Sequence, residues 1–311
     1  MNKICNDIQK YNSIKNKYER FPVQINPSLY KCPVEIISDM NTLTHGIQYN
    51  SHETIPIKLL FFTKTNQDCI DRFHIAMTVL RYMLQFPNTL NFIEVVFAFT
   101  SVQKHLPTHG LIGPSTLNTG YTIGNQIVVY REEEWLKVFI HECIHLFDYD
   151  AELRDKSELL YTLFPISRTI HLNESYCEIW ARILNCCLIS VLNNVDVDFL
   201  LEKERQHSLQ QMVNVLHYMG ILYPQLMDKD TDFKENTNAF AYLVIPAILI
   251  QDPYLFVKWC KKNNKSLLPV EHADKYVALI QTTYNSKDFL NVIPKHTSSL
   301  STKMSFNNIH L

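Results

Sequence analysis

The chain has 311 residues, 46% of them hydrophobic and 19% charged, with a formal net charge of −2 at pH 7. That length allows one large domain or two lobes sharing a cleft, and that apolar content argues against wholesale disorder. There is no dense Lys/Arg block to form the basic stripe that nucleic-acid binding needs, so nucleic acid is not an expected partner.

The opening stretch 1–20 is polar and lacks the apolar core of a secretory signal. The two most apolar stretches, 183–192 and 239–250, are each too short for a bilayer, and Pro246 interrupts the second, so no membrane partner is expected. The eight cysteines (Cys5, Cys32, Cys69, Cys143, Cys177, Cys186, Cys187 and Cys260) form no CxxC pair, and most lie in apolar runs. They read as buried free thiols in a reducing compartment, which places the chain in the cytoplasm.

Along the chain, 33–38 and 55–63 are expected to be strands, being rich in Ile, Val and Phe. The stretch 69–86 has apolar residues at helical spacing and ends before Pro87, and 92–100 is a further strand. Four of the six glycines (Gly110, Gly113, Gly120 and Gly124) crowd a loop that leads to a short strand at Gln126–Arg131. A helix is predicted over 132–148, with Glu132, Glu133 and Glu134 in its first turn and an apolar surface nearly all round. Helices follow at 156–163, 173–192, 208–219, 236–250, 254–262 and 269–284, and the polar stretch from Ser286 onward reads as loose. The expected organisation is a mixed α/β lobe over 1–150, an α-helical lobe over 151–285 and a loose tail over 286–311.

The helix 132–148 carries His141-Glu142-Cys143-Ile144-His145. Residues i and i+4 share a helix face with Cβ atoms about 5–6 Å apart, so two imidazoles at that spacing can converge on one Zn²⁺ at about 2.0–2.1 Å. Glu142, one position round the helix, can act as general base toward a water activated there without itself being a ligand. The competing reading makes His141 and His145 hydrogen-bonded core residues. Two histidines and a glutamate in one apolar helix are costly to bury without a metal.

A catalytic zinc site needs a third protein ligand and an open position. Downstream, Glu174 and Glu178 stand at i and i+4 at the start of an apolar helix, so one can bind metal while the other holds a ligating histidine. Alternatively they form a solvated acidic face, with Glu178 paired to Arg182. Asp148 shares a face with both histidines and is expected to sit behind them or to touch substrate. Tyr121, in the turn-like segment 117–122, is a candidate substrate contact, while His171 and His217 are candidate oxyanion donors. Either 126–131 or the 120–122 arm can serve as a sheet edge on which a peptide adds as a strand.

These two motifs resemble those of the gluzincin metallopeptidases, in which one helix bears HExxH and a second bears Asn-Glu-x-x-x-Asp/Glu. The resemblance implies a zincin-like α+β fold, with an N-terminal mixed α/β lobe ending in the active-site helix and a C-terminal α-helical lobe supplying the third ligand. It implies His141, His145 and Glu174 as zinc ligands, Glu142 as catalytic base, and Glu178 as the acid orienting the first histidine. Residues 128–145 are also similar to stretches of predicted metalloproteases of giant DNA viruses, through the Arg-Glu-Glu-Glu-Trp run and Phe139-Ile140-His141-Glu142; a viral source would put the chain in host cytoplasm or a virion. No Gly follows His145 at the metzincin spacing, and no His or Tyr stands out as the oxyanion donor of known gluzincins. The expected activity is zinc-dependent hydrolysis of a peptide or protein substrate. Hydrolysis of a non-peptide amide and a catalytically silent scaffold, for instance in a virus particle, are the alternatives.

Overall fold

Side chains alternate along a strand, so a sheet whose consecutive residues are all apolar must be covered on both faces. The computed structural model, which describes residues 1–166, 169–229, 231–297 and 300–307, has such a sheet at its centre. Its strands are β1 (Glu19–Pro22), β2 (His45–His52), β3 (Pro56–Thr63), β4 (Ile93–Thr100), β5 (Gly120–Ile123) and β6 (Gln126–Arg131), in spatial order β1-β2-β3-β4-β6-β5. β3, β4 and β6 run parallel, while β1, β2 and β5 each pair antiparallel to their neighbours. Leu59, Phe61, Val95, Phe97, Ile127 and Val129 fill one face, and Leu60, Phe62, Val96, Ala98, Val128 and Tyr130 the other.

The helices are α1 (Asn2–Asn12), α2 (Val34–Met40), α3 (Ile70–Leu84), the short α4 (Pro114–Leu117), α5 (Trp135–Leu146), α6 (Leu172–Asn193), α7 (Val197–Tyr218), α8 (Ile245–Leu249), α9 (Pro253–Asn263), α10 (Ala273–Gln281) and α11 (Lys287–Val292). The fold is α+β, with the helices of the second half packed into the same hydrophobic cluster as the first face of the sheet: Phe61, Phe97, Phe139, Trp180, Leu216, Leu243 and Ile280 all belong to it. α6 is 22 residues long and apolar enough to cross a bilayer, longer than its apolar stretch suggests from sequence, but 83% of that window is buried inside the body. Its apolarity serves core packing.

Several elements differ from expectation. The segment 33–38 is not a strand: α2 begins after Pro33 and lays Ile36 and Met40, spaced i,i+4, on the second face of the sheet, leaving Val34 exposed. An apolar run this short fits either period. α1 and β2 were hidden by polar residues, although Tyr49 and Ser51 in β2 bury at strand spacing. The stretch 156–163 shortens to a 3-10 turn at Ser157–Leu160, α7 begins well before 208, and 236–250 contains a π-helical turn at Phe240–Val244 ahead of α8.

The acids 132–134 do not occupy the first turn of the buried helix. Glu134 precedes α5 with φ 58°, and all three acids turn to partners: Glu132 to Arg72, Glu133 to the Lys104 amide and Lys303, Glu134 to the Lys104 ammonium. Nor are the described residues from Ser286 onward loose; 298–299 and 308–311 lie outside them. The chain forms α11, and in 300–307 Thr302, Met304, Ser305 and Asn307 are buried. Leu300 accepts from the Leu106 amide and Thr302 donates from its hydroxyl to the Thr116 carbonyl. The Ser305 backbone amide donates to Glu134, and the Phe306 backbone amide and Asn307 Nδ2 donate to Glu204. The polar composition that reads as loose supplies donors to buried carboxylates.

Lys104 and Glu134 are both fully buried, so removing one charge strands the other. Lys104→Met is expected to destabilise the fold by about 3–5 kcal/mol, read by urea denaturation. A loss within 1 kcal/mol would mean that the Ser305 amide alone suffices for Glu134.

Candidate metal centre

α5 is buried along nearly its whole length, and its polar residues Lys137, His141 and Glu142 are buried with it. Each therefore needs a partner. α6 packs against α5 and supplies two of them at i and i+4, Glu174 and Glu178. His141 Nε2 lies 3.2 Å from Glu174 Oε2, His145 Nε2 lies 3.1 Å from the same oxygen, and the two Nε2 atoms are 3.2 Å apart.

The outer nitrogens decide what these three atoms present. His141 Nδ1 is 3.1 Å from Glu178 Oε2, and His145 Nδ1 is 2.8 Å from Asp150 Oδ2. A carboxylate only accepts, so in the neutral imidazoles both protons sit on Nδ1 and both Nε2 lone pairs face the Glu174 oxygen. Three acceptors at contact distance repel unless a cation lies among them. Ligand atoms about 2.0–2.1 Å from a tetrahedral centre stand roughly 3.3–3.4 Å from one another, so this triangle fits zinc in both donor type and spacing. Without an ion, protons serve as that cation. Burial would lower both imidazoles, but hydrogen bonds to Glu174 and Glu178 raise His141, and Cys177, Glu174 and Asp150 raise His145 well above its ordinary value. A metal would have to displace those protons. Burial would raise Glu174, yet the two histidines hold it far below the carboxylate range.

Behind the triangle, Glu178 is fully buried between Lys137 Nζ, 2.9 Å away, and Arg182 Nε, 3.0 Å away. The pairing with Arg182 is therefore real, but it lies in the core and not on a solvated face. Asp150 receives Asn173 Nδ2 at 3.1 Å and Arg154 at 2.8 Å in addition to His145. The acid behind His145 is thus Asp150 and not Asp148. The chain leaves α5 through Asp148 at φ 59°, which turns that side chain to an exposed pair with Arg154 at 2.7 Å, where both residues line the cleft, the place expected of a substrate contact. Cys177 also approaches: with His141 and His145 it offers ligand atoms within 4.8 Å of one another, a group able to hold a metal ion. Its sulfur lies 3.5 Å from His145 Nδ1, the nitrogen facing away from the triangle, and burial pushes the thiol well above its usual range. Glu174 is the better-placed third donor.

His145, Glu174 and Glu142 line a cleft of about 840 Å³, bounded on one side by β5. β5 comes this close because residue 120 is glycine: a Cβ there would stand 2.9 Å from the Val128 carbonyl oxygen and from Val138 Cγ1, and 3.4 Å from Glu142 Cγ. Thr122, on the same face of β5, donates from its hydroxyl to Glu142 Oε2 at 2.8 Å, with the Glu142 carbonyl oxygen at 3.1 Å. Across the cleft, Tyr242 from the π-helical turn sets its ring edge-on to His141, 5.7 Å between centroids, and its hydroxyl accepts from Asn238 Nδ2 at 3.3 Å. Burial, reinforced by the charge of Glu174, keeps that phenol well above its ordinary range and hence protonated.

The remaining candidates from sequence are placed elsewhere. Tyr121 borders the cleft, but its hydroxyl accepts from the Lys31 amide at 3.1 Å and its ring packs near Tyr130 on the far face of the sheet. His171 sits exposed just before α6, and His217 is exposed in the last turn of α7; neither lines the cleft. Asp150, Thr122 and Tyr242 went unnoticed because tertiary placement, not spacing, brings them in. Only Asn238 and Tyr242, at i and i+4, left a local trace.

No protein-family model matches the chain, and no curated protein matches it. Among solved structures it is similar to an aminopeptidase N family protein from Idiomarina loihiensis, at 11% identity and a TM-score of 0.37, covering 82% of this chain and 48% of that one. The chain thus spans about half the length of that protein, and at so slight a likeness the chemistry of the cleft has to speak for itself.

Proposed function

We propose that this chain is a zinc-dependent peptidase of gluzincin type, with His141, His145 and Glu174 holding the metal and Glu142 as general base. The observation that carries the reading is the triangle of lone-pair donors, 3.1–3.2 Å on each edge, at the wall of an open cleft. A zinc ion held there would supply Lewis acidity, polarising a carbonyl and making water a nucleophile near neutral pH. Glu142 stands next to the ligands and would take the proton of the attacking water, then deliver it to the departing amine. Tyr242, on the cleft lining with its ring against His141, would donate to charge developing on the carbonyl oxygen, the part for which His171 and His217 are candidates from sequence. β5 is an edge strand of the sheet, so an extended peptide can add to it beside Glu142. A peptide or protein substrate fits this edge better than a compact amide.

The metal set is tested by mass-spectrometric zinc analysis of purified variants. His141→Ala, His145→Ala and Glu174→Ala should each lose zinc, and Glu178→Ala should weaken binding by about 10–100-fold. Cys177→Ala should retain it. Zinc kept by Glu174→Ala but lost by Cys177→Ala would make the thiol the third ligand.

Activity is tested on a diverse peptide library. Glu142→Gln should keep zinc and melting temperature while slowing cleavage by roughly 10²–10⁴-fold. Tyr242→Phe should lower kcat by about 10²–10³-fold with zinc unchanged. Equal cleavage by Glu142→Gln and wild type would reject this base. A zinc-loaded wild type that cleaves no peptide would favour the non-peptide amide or the silent scaffold.

A further inference from the structure

The antiparallel ladder between β5 and β6 fixes which backbone groups of β5 are free. The Tyr130 amide donates to the Thr119 carbonyl at 2.8 Å, and the register pairs Gly120 with Val129, Tyr121 with Val128 and Thr122 with Ile127. Hydrogen-bonded and non-hydrogen-bonded pairs alternate along such a ladder, so Tyr121 is the next residue bonded to β6. Gly120 and Thr122 therefore turn their amides and carbonyls to the open edge, which borders the cleft. The side chain of Thr122 points toward α5, where its hydroxyl meets Glu142 Oε2 at 2.8 Å. One residue thus faces an incoming strand with its backbone and the carboxylate of Glu142 with its side chain.

We infer that Thr122 is a positioning residue for Glu142, and that a peptide seated on the β5 edge and an oriented base are one coupled arrangement. This rests on the peptidase reading above. The hydroxyl holds Oε2, which fixes the carboxylate plane and leaves Oε1, without a protein hydrogen bond among the described residues, for the proton. A carboxylate on a side chain with three torsions needs such a tether, because a misplacement of about 1 Å can cost about 10²-fold in rate. Gly120 allows the tether by admitting β5 to contact with α5. The tether belongs to the strand that the substrate joins, so a peptide drawing β5 toward itself moves the base with it.

The test uses the full zinc-loaded chain with Thr122→Val, which keeps the branched shape and strand preference but loses the hydroxyl, and Thr122→Ser, which keeps the hydroxyl. Thr122→Val is expected to lower kcat by roughly 10²-fold, with zinc content unchanged and KM within about twofold, because the edge backbone is intact. Thr122→Ser is expected to restore most of the rate. Wild-type kcat in Thr122→Val, or an equal loss in Thr122→Ser, overturns the tether and leaves packing as the cause. Crystals of wild type and Thr122→Val supply a readout independent of turnover: the Glu142 carboxylate is expected to rotate away from its wild-type position in the variant. Should wild type cleave no peptide, the peptidase reading falls on that result, while an unmoved carboxylate would separately overturn the tether and a rotated one would uphold it.

Discussion

The His141 side of the cleft depends on one carboxylate that never meets solvent. Glu178 is fully buried and bound by Lys137, Arg182 and His141 at once. Two cations and an imidazole around one acid exceed what a simple ion pair requires. Truncating Glu178 would take from the buried Lys137 its ion-pair partner and leave Arg182 with the more distant Glu204, 3.9 Å away. The arrangement also joins helices: Lys137 and His141 come from α5, Glu178 and Arg182 from α6. Arg182 reaches on to the Ser208 hydroxyl and the Tyr242 carbonyl, so the same network holds the turn that presents the Tyr242 ring to His141. The orientation of His141 is therefore set by the core and not by the cleft.

A core built for stability alone has no use for three lone pairs facing one another, since apolar residues of equal volume would pack as well or better. The two sides of the triangle are also held differently. His141 rests on a dry acid locked by fixed charge, whereas His145 rests on Asp150, whose Arg154 partner is 43% exposed. The His145 side lies next to water and to the open cleft, and the His141 side is rigid. Such asymmetry suits a centre that must hold its donors firmly while one side remains accessible.

Much of this was legible in the sequence wherever geometry is local. The i,i+4 spacings of His141 with His145 and of Glu174 with Glu178 survive folding because a helix fixes them. Strands β3, β4 and β6 and helices α3, α6 and α9 were likewise readable from apolar period. What failed is instructive in each case. Of the two roles open to Asp148, the one behind the histidines presumes a continued helix; the left-handed turn at Asp148 gives that task, for His145, to Asp150 and leaves Asp148 on the cleft lining. Tyr242 and Thr122 lie far along the chain from His141 and Glu142, which they meet, and no periodicity links them. The stretch from Ser286 reads as loose because polar residues are taken as solvated, whereas at 305–307 amide groups answer buried acids.

That segment has a consequence for the order in which the molecule can form. Ser305 satisfies Glu134 across a sequence separation of 171, and Asn307 satisfies Glu204 across 103. During synthesis the strands and α5 emerge long before the residues that complete the buried end of that helix. Until 300–307 arrives, Glu134 has Lys104 but not the Ser305 amide, and Glu204 has Arg182 but not the donors of Ser305, Phe306 and Asn307. Closure of the core then waits on loop closure over more than half the chain, a slow step of the kind that non-local contacts impose. A nascent chain would hold its metal-binding motif early and its rigid support late, exposing apolar surface of both halves in the interval.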